Sequence, residues 1–234
     1  MFIGISSYNH ESAVALINSS GILIDYCKEE SLSRIKGDKS FPKRALNRII
    51  EKNQIKLDNI SNIVFYEKPL TAFLTPLKTA SSYLPQSLSF IAHQLRNFDN
   101  SSISCFTDLA KFYPGLEKKL SYIDHHLAHT LTALAYSKKQ TDICSIVVDG
   151  FGDRSTASIS YIKDMHTINE LWCADYPHSL GLFYSSITDF LGFNVNEGEY
   201  KVMGLSSFGN SNSKLAKSVS NLIRWDDIKN KIVV

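Results

Sequence analysis

The sequence predicts an α/β protein with two related halves, and three observations lead to this prediction. Apolar runs at residues 2–6, 13–17 and 22–27, separated by polar turns, predict a three-strand meander at the start of the chain. Segments with helical and strand-like apolar spacing then alternate. A second meander of the same order begins at Ile143, about 140 residues later, which indicates a duplication.

The rest of the first half is predicted to hold helices and two further strands. Apolar residues recur at helical spacing in the segment that precedes a strand at 60–66. Residues 70–112 lack a steady period, so this stretch predicts helices joined by loops. A strand at 120–123 leads to a helix from about His125 to Ala135, whose first turn Asp124 is placed to cap.

The second half opens as the first one does. Its predicted elements are a strand at 143–148, a polar turn at 149–154, a return strand at 155–162, a third strand at 169–174 and a helix at 180–191. We place the boundary between the halves after residue 140, which gives predicted domains of 1–140 and 141–234.

Two related lobes, each opening with a hairpin whose turn faces a shared cleft, are the plan of the actin, sugar-kinase and Hsp70 superfamily. This actin-like fold is a duplicated ribonuclease H-like fold, and the second lobe is expected to be incomplete here. The two turns hold nucleotide phosphates in that superfamily, so Gly150 and Gly152 are candidate cofactor-binding residues. Two hairpins also recur by chance, so the duplication alone leaves the fold class open.

Charge and cysteine content argue against several classes of protein. Lysine and arginine total 25 against 23 acidic residues, so nothing electrostatic favours nucleic acid or an anionic membrane as a partner. The four cysteines form no CxxC pair and predict reduced, mostly buried thiols rather than a zinc knuckle. The amino end has no basic segment, and no apolar run approaches the ~18 residues of a membrane span, so we expect a cytoplasmic location.

The strongest local signal is a histidine pair in the segment DHHLAH, at the start of a predicted helix. Residues four apart project from the same helical face, so His125 and His129 can present two imidazoles to one cation. Imidazole pairs suit zinc, iron, cobalt or nickel, and a carboxylate would complete a catalytic centre with an open position. The alternative is a pair of partly buried helix histidines that bind other protein groups.

Two further residues are candidates for the same chemistry. Asp149 ends a buried apolar strand, where α/β folds place ligand-binding groups, so it is the natural third ligand; alternatively it only caps the turn. His10 lies in the first predicted turn, where a neutral imidazole can take a proton from an alcohol during acyl transfer. A loop histidine is more often simply solvated.

A third segment, GEYKVMGL at residues 198–205, combines glycines with a cation. Gly198 and Gly204 would let the backbone approach a ligand, and Lys201 between them can meet a phosphate or a carboxylate. An ordinary exposed loop lysine between two turn glycines has the same pattern.

Six segments between residue 2 and about residue 209 carry a family resemblance. They are GISSYNHESAVALI, EESLSR, SFPKRA, DHHLAH, VVDGFGD and PHSLGLFYSSITDFLGFNVNEGEYKVMGL. In this order they resemble the O-carbamoyltransferases of nodulation-factor, aminoglycoside and cephamycin biosynthesis.

The resemblance implies a large actin-like domain, similar to the tRNA threonylcarbamoyl transferase subunit, followed by a smaller domain. The small domain makes carbamoyl adenylate from carbamoyl phosphate and ATP. The large domain moves the carbamoyl group to a substrate hydroxyl at a divalent metal, usually iron(II). Carried over by motif, His125, His129 and Asp149 are metal ligands, His10 is catalytic, and Lys201 helps to hold the adenylate.

The resemblance also implies more protein than this sequence holds. In the family, the large domain continues well past the Tyr-Lys-Val-Met motif, so we expect a split gene, a fragment or a remnant whose C-terminal domain is a separate partner. The alternative is a non-catalytic binding or regulatory module that keeps the nucleotide cleft. An actin-like small-molecule kinase is disfavoured because a histidine pair has no evident role in phosphoryl transfer. The acceptor is not revealed.

Overall fold

The computed structural model describes residues 1–98 and 102–234. The chain divides into two compact units, Met1–His125 and His126–Val234, which we call the first and the second unit. Each unit combines helices with β-strands, so the chain is a mixed α/β protein, as the sequence predicts. This division falls at the start of one helix. The lobe boundary that we place after residue 140 stays a prediction.

The first unit is built on one mixed sheet. Its strands are β1 (Phe2–Ser6), β2 (Ala13–Ile17), β3 (Leu23–Lys28), β4 (Asn62–Phe65) and β5 (Leu120–Tyr122). They lie in the order β3-β2-β1-β4-β5, in which β1 to β3 form an antiparallel meander. Strand β4 pairs in parallel with both β1 and β5. The predicted opening meander and the two later strands are therefore confirmed.

Within the described ranges, five helices accompany this sheet, and the second and the fifth of them bury side chains in its core. They are α1 (Glu30–Ser33), α2 (Lys43–Lys52), α3 (Pro69–Ser81), α4 (Leu88–Arg96) and α5 (Cys105–Phe112), with 3₁₀ turns at Leu57–Asn59, Ser102–Ser104 and Leu116–Lys119. Helix α2 buries Ala45, Leu46 and Ile49, as its apolar spacing predicts. Buried Phe65 and Leu109 belong to the same cluster. The stretch 70–112 holds helices and loops, as expected; residues 99–101 lie outside the described residues.

The EESLSR segment has a structural role that the sequence does not reveal. Glu29 is 3% exposed, and its carboxylate accepts hydrogen bonds from the backbone N–H groups of Arg44 (3.2 Å) and Ala45 (2.8 Å). These amides lie in the first turn of α2, where helical N–H groups lack partners within the helix. Glu29 thus joins the end of β3 to the start of α2, and so links the EESLSR segment to the SFPKRA segment.

The second unit contains a three-stranded antiparallel sheet. Helix α6 (His125–Tyr136) leads into it from the last residue of the first unit. The other elements are β6 (Ile143–Gly152), β7 (Ser155–Asp164), β8 (Thr167–Asp175), α7 (Leu180–Phe190), α8 (Glu199–Leu205), a 3₁₀ turn at Ser206–Phe208, α9 (Lys214–Ser220), β9 (Arg224–Asp226) and β10 (Lys231–Val233). The sheet order is β6-β7-β8, and β9 pairs with β10. The predicted second meander is confirmed.

Three local expectations are corrected. Strand β6 continues to Gly152 through most of the predicted turn at 149–154, because a register shift after Val148 lets Gly152 pair with Ser155. The segment predicted as a glycine-flanked loop contains helix α8. The thiols are free, but they are not mostly buried: Cys144 is exposed because it lies on the open face of β6.

Across the described ranges 1–98 and 102–234, none of the helices is both long enough and apolar enough to cross a bilayer.

Candidate metal centre

Helix α6 places its histidines on two neighbouring faces. His126 and Thr130 are 3% and 1% exposed and point to the sheet of the second unit. The His126 Nδ1 lies 2.8 Å from Ser158 Oγ on β7, and Thr130 Oγ1 lies 3.1 Å from Ser145 Oγ on β6. These polar contacts fix the rotation of α6 about its axis, and the i, i+4 relation then places His125 and His129 together on the adjacent face.

The carboxylate of Asp149 comes from β6, at the irregular part of that strand. Its Oδ1 accepts a hydrogen bond from the N–H of Gly150 at 2.6 Å. Ser179, which is 1% exposed, donates its hydroxyl to the Gly150 carbonyl at 2.6 Å and accepts from the N–H of Leu182 at 3.0 Å. One serine therefore caps α7 and holds the backbone next to Asp149.

Gly181 lets α7 approach that backbone closely. A Cβ atom at this position would lie 2.7 Å from the Asp149 carbonyl oxygen and 2.7 Å from the Gly150 amide nitrogen, which no side chain tolerates. Neither Ser179 nor Gly181 is among the site residues that the sequence predicts. The available signal was a serine with glycine two residues later at the start of an apolar helix, in the longest segment of the family resemblance.

One ligand atom from each of His125, His129 and Asp149 lies within 4.8 Å of the other two. The His129 Nε2 and Asp149 Oδ2 are 3.8 Å apart. Donors bound to one ion at about 2.0–2.2 Å lie roughly 3 to 3.5 Å apart, so small side-chain movements would bring these three atoms to bonding distance. The structure thus brings together the three residues that the sequence nominates as ligands.

The donor set fits a divalent transition metal. Two imidazole nitrogens and one carboxylate oxygen suit zinc or iron(II), and three protein ligands leave coordination positions for substrate. His125 is buried at 6% exposure, whereas His129 is exposed and Asp149 is intermediate. The cluster is therefore supported by packing on one side and open to solvent on the other.

The remaining nominated residues lie outside this three-residue cluster. Gly150 follows Asp149 directly, and Gly152 ends β6. His10 is exposed in the turn between β1 and β2. Lys201 and Gly204 lie on α8, where the Lys201 ammonium is 5.7 Å from the ring centre of Phe193.

Helix α8 packs against α7 in a defined position. A Cβ on Gly198 would come within 2.5 Å of Phe193 Cβ, so this glycine serves packing. The Glu199 carboxylate accepts hydrogen bonds from the Asn196 N–H and the Ser185 hydroxyl. The Asn196 hydrogen bond is the main cause that lowers the pKa of Glu199. Lys201 therefore lies on a helix whose position is fixed by these contacts.

Comparisons with known proteins agree with the family resemblance seen in the sequence. The family model described as "Carbamoyltransferase N-terminus" matches residues 1–232. Uncharacterized protein sll1178 of Synechocystis sp. is 34% identical over 215 residues, which cover 88% of this chain and 34% of that protein. Nodulation protein NolNO of Sinorhizobium fredii is 26% identical over 211 residues, covering 87% and 28%. Uncharacterized protein MJ1051 of Methanocaldococcus jannaschii is 27% identical over 208 residues, covering 89% and 33%. The chain spans about a third of the length of these relatives.

Proposed function

Because this chain belongs to the carbamoyltransferase N-terminus family, we propose that it forms the metal-binding part of an enzyme that carbamoylates a substrate hydroxyl. The family match confirms the resemblance seen in the sequence. The observation that supports the proposal most directly is the convergence of His125, His129 and Asp149, because a cation bound there could stabilise negative charge on the group being transferred.

In the proposed reaction, the oxygen of the acceptor hydroxyl forms a bond to the carbamoyl carbon of carbamoyl adenylate. The bond from that carbon to the phosphate oxygen breaks, AMP leaves, and the hydroxyl proton passes to His10. A divalent metal, which the resemblance suggests is iron(II), would stabilise negative charge on the reacting oxygens. His125, His129 and Asp149 would hold it, and exposed His10 is free to release the proton to solvent.

The anionic part of the adenylate would bind to backbone and to Lys201. Gly150 is partly exposed and would let a phosphate approach the backbone of β6. Gly152 is buried and pairs with Ser155, so its proposed role rests on the resemblance to the turns of actin-like proteins. Lys201 offers an ammonium from α8, whose position Glu199 fixes. Gly204 has open space around its Cα, so a ligand can approach that turn of the helix.

We also propose that the two units are the related lobes of an actin-like fold. The strand order of the first unit, an antiparallel meander followed by two parallel strands, supports this proposal because a ribonuclease H-like sheet would have the same order. The second unit repeats the meander. Ligands of α/β sheets bind beyond the carboxyl ends of the strands, and only two residues separate such an end of β5 from the start of α6.

The rest of the proposed reaction sequence is assigned to parts of the enzyme outside residues 1–234. Carbamoyl adenylate would come from carbamoyl phosphate and ATP on a C-terminal domain, present in the same or a separate chain. The acceptor is a small hydroxyl compound. Cytoplasm, where ATP and iron(II) are available, is the proposed location, and the free thiols of the chain suit a reducing compartment.

The proposal is tested by metal binding and by product formation. We expect the chain to bind one iron(II) under anaerobic conditions, and the double substitution His125→Ala and His129→Ala to weaken binding at least a hundredfold. His93→Ala is the matched control, because His93 also lies on a helix but outside the cluster.

Product formation is measured after the chain is combined with an adenylating domain, carbamoyl phosphate, ATP and candidate alcohols. A carbamoylated alcohol that the double variant fails to form supports the transferase. An assembly that binds metal and adenylate but never forms product would instead support the binding or regulatory module.

A further inference from the structure

A hydrogen-bonded clamp joins the β1–β2 turn to the end of β4. The Asn9 side-chain amide donates to Tyr66 Oη at 2.9 Å and to Glu67 Oε2 at 3.0 Å. The Tyr66 hydroxyl in turn donates to the Ser7 carbonyl at 3.4 Å. Glu67 is 2% exposed, and a carboxylate accepts but does not donate, so the amide must turn its NH₂ group to it. The orientation of Asn9 is therefore fixed.

The same tyrosine contacts a nominated metal ligand. The ring centres of Tyr66 and His125 are 5.3 Å apart, and the ring planes are inclined by 60°. Tilted ring pairs at this separation attract each other, and a rigid neighbour limits the rotation of a buried imidazole. The Tyr66 hydroxyl thus accepts a hydrogen bond from the Asn9 amide, and its ring packs against the His125 ring.

The turn that carries Asn9 is held on its other side as well. Tyr8 has a positive φ of 77°, an uncommon conformation for a residue other than glycine. Its N–H donates to the Lys39 carbonyl at 2.8 Å, and its hydroxyl donates to the Asp108 carboxylate at 2.7 Å. Asn9 therefore follows a residue that is held by both its backbone and its side chain, and His10 comes directly after Asn9.

We propose that Asn9 and Tyr66 are positioning residues that hold the His125 ring ready for metal binding and fix the His10 turn to the same support. The inference rests on the proposed metal site. Groups that orient a metal ligand without touching the metal commonly change affinity by about 10- to 100-fold when they are removed. The Tyr66 ring sets the orientation of His125, and the Asn9 amide sets the orientation of Tyr66.

The test measures cobalt(II) affinity and the visible absorption spectrum of the bound cobalt(II) in the full chain. Tyr66→Leu removes the ring and is expected to weaken binding about tenfold and to alter the spectrum at saturation. Tyr66→Phe keeps the ring and should restore affinity to within about threefold of the original protein. Tyr26→Leu, on the exposed part of β3, is the matched control and leaves affinity and spectrum unchanged.

Asn9→Ala tests the hydrogen bond separately. Both Asn9→Ala and Tyr66→Phe break the Asn9–Tyr66 bond and keep the ring, so each should weaken binding about two- to threefold. Their combination should weaken binding by less than the product of the two single effects, because both changes remove the shared Asn9–Tyr66 bond. It can exceed either single effect, since Asn9→Ala also removes the bond to Glu67 and Tyr66→Phe the bond to the Ser7 carbonyl. Circular dichroism at the assay temperature shows that each variant is folded.

The outcomes separate the inference from its premise. If the original chain binds cobalt(II) and Tyr66→Leu binds it equally well with the same spectrum, the positioning role is wrong while the metal site stands. If Tyr66→Phe is as weak as Tyr66→Leu, the ring is not what orients His125. If the original chain binds no cobalt(II), the metal site itself fails, and the inference fails with it.

Discussion

His125, His129 and Asp149 differ in exposure, and this difference predicts how each would contribute to a metal centre. His125 is almost fully buried, so its ring has lost most of its rotational freedom before a metal arrives. The side chain of His129 is 52% exposed and that of Asp149 is 32% exposed, so these two still lose entropy when they are fixed. Solvent and substrate would reach the metal from the side of His129.

The four thiols should react at very different rates with an alkylating reagent near pH 8. Cys144 is exposed on β6 and should react first. Burial, followed by the carboxylates of Glu170 and Asp175, raises the pKa of Cys173 to about 11, so little of the reactive thiolate is present below that pH. Burial also raises the pKa of Cys105 to about 12. Mass spectrometry of peptides after timed alkylation measures the order.

The direction in which the labelling rate changes with pH provides a second test of this order. Labelling of Cys173 should increase as the pH rises towards its raised pKa, because deprotonation is what limits it. Cys144→Ser should remove the fast phase and leave the slower ones unchanged. Faster labelling of Cys173 than of Cys144 at pH 8 would contradict the exposures seen in the structure.

Single residues were predictable from the sequence where local geometry dictates their relation. His125 and His129 share a helical face wherever the helix packs, and Asp149 follows a recognisable strand. All three could therefore be nominated. Tyr66 and Ser179 could not, because their roles depend on contacts with residues that are distant in the sequence, such as Asn9 for Tyr66 and Gly150 for Ser179. Their neighbours in space become known only when the chain is folded. The role of the three nominated residues as ligands stays a proposal.

Among the elements, the contact between α7 and β6 is the one on which the position of Asp149 depends. Gly181→Ala places a Cβ against backbone atoms of Asp149 and Gly150, which cannot rotate away. We expect a loss of about 1–3 kcal/mol in the free energy of unfolding, as in other overpacked sites. Metal affinity should fall about tenfold as α7 moves Asp149. Denaturant unfolding and cobalt(II) titration measure the two effects.

Gly204→Ala is the matched control for this substitution. Gly204 also lies in a helix, but a Cβ there would have no atom within 4 Å. Replacing it should leave metal affinity unchanged and stabilise the chain by roughly 0.4–1 kcal/mol, since alanine has less freedom to lose on folding. Equal effects of the two substitutions would show that the α7–β6 contact does not determine the position of Asp149.

Most elements were predictable because their apolar periods are clear. The meanders, α2, α6 and α7 follow their patterns closely. Strand β6 was predicted too short because its second part contains Asp149 and two glycines, which are typical of turns; a register shift keeps that part paired. Helix α8 was missed because Gly198, which is needed for packing against Phe193, resembles a turn glycine in the sequence.

At the scale of the whole molecule, the family was predictable and the complete enzyme was not. The motifs of the carbamoyltransferase family extend over nearly the entire chain, so their order alone identified it. The chain spans about a third of the length of the relatives it matches, so the proposed adenylating step is assigned to residues outside 1–234. The metal site is the part of the proposed reaction that this chain can be tested for by itself.

Metal binding should stabilise the folded chain, because the three nominated ligands come from a helix and a strand that unfolding separates. Binding only to the folded form adds RT ln(1 + [metal]/Kd) to the free energy of unfolding, which is about 2.7 kcal/mol at a hundredfold excess over Kd. The unfolding midpoint should therefore rise with cobalt(II) concentration, return on addition of a chelator, and stay constant in the variant that lacks both His125 and His129. An equal rise in that variant would mean that the metal binds elsewhere, and a fall in the original protein would mean that it prefers the unfolded chain.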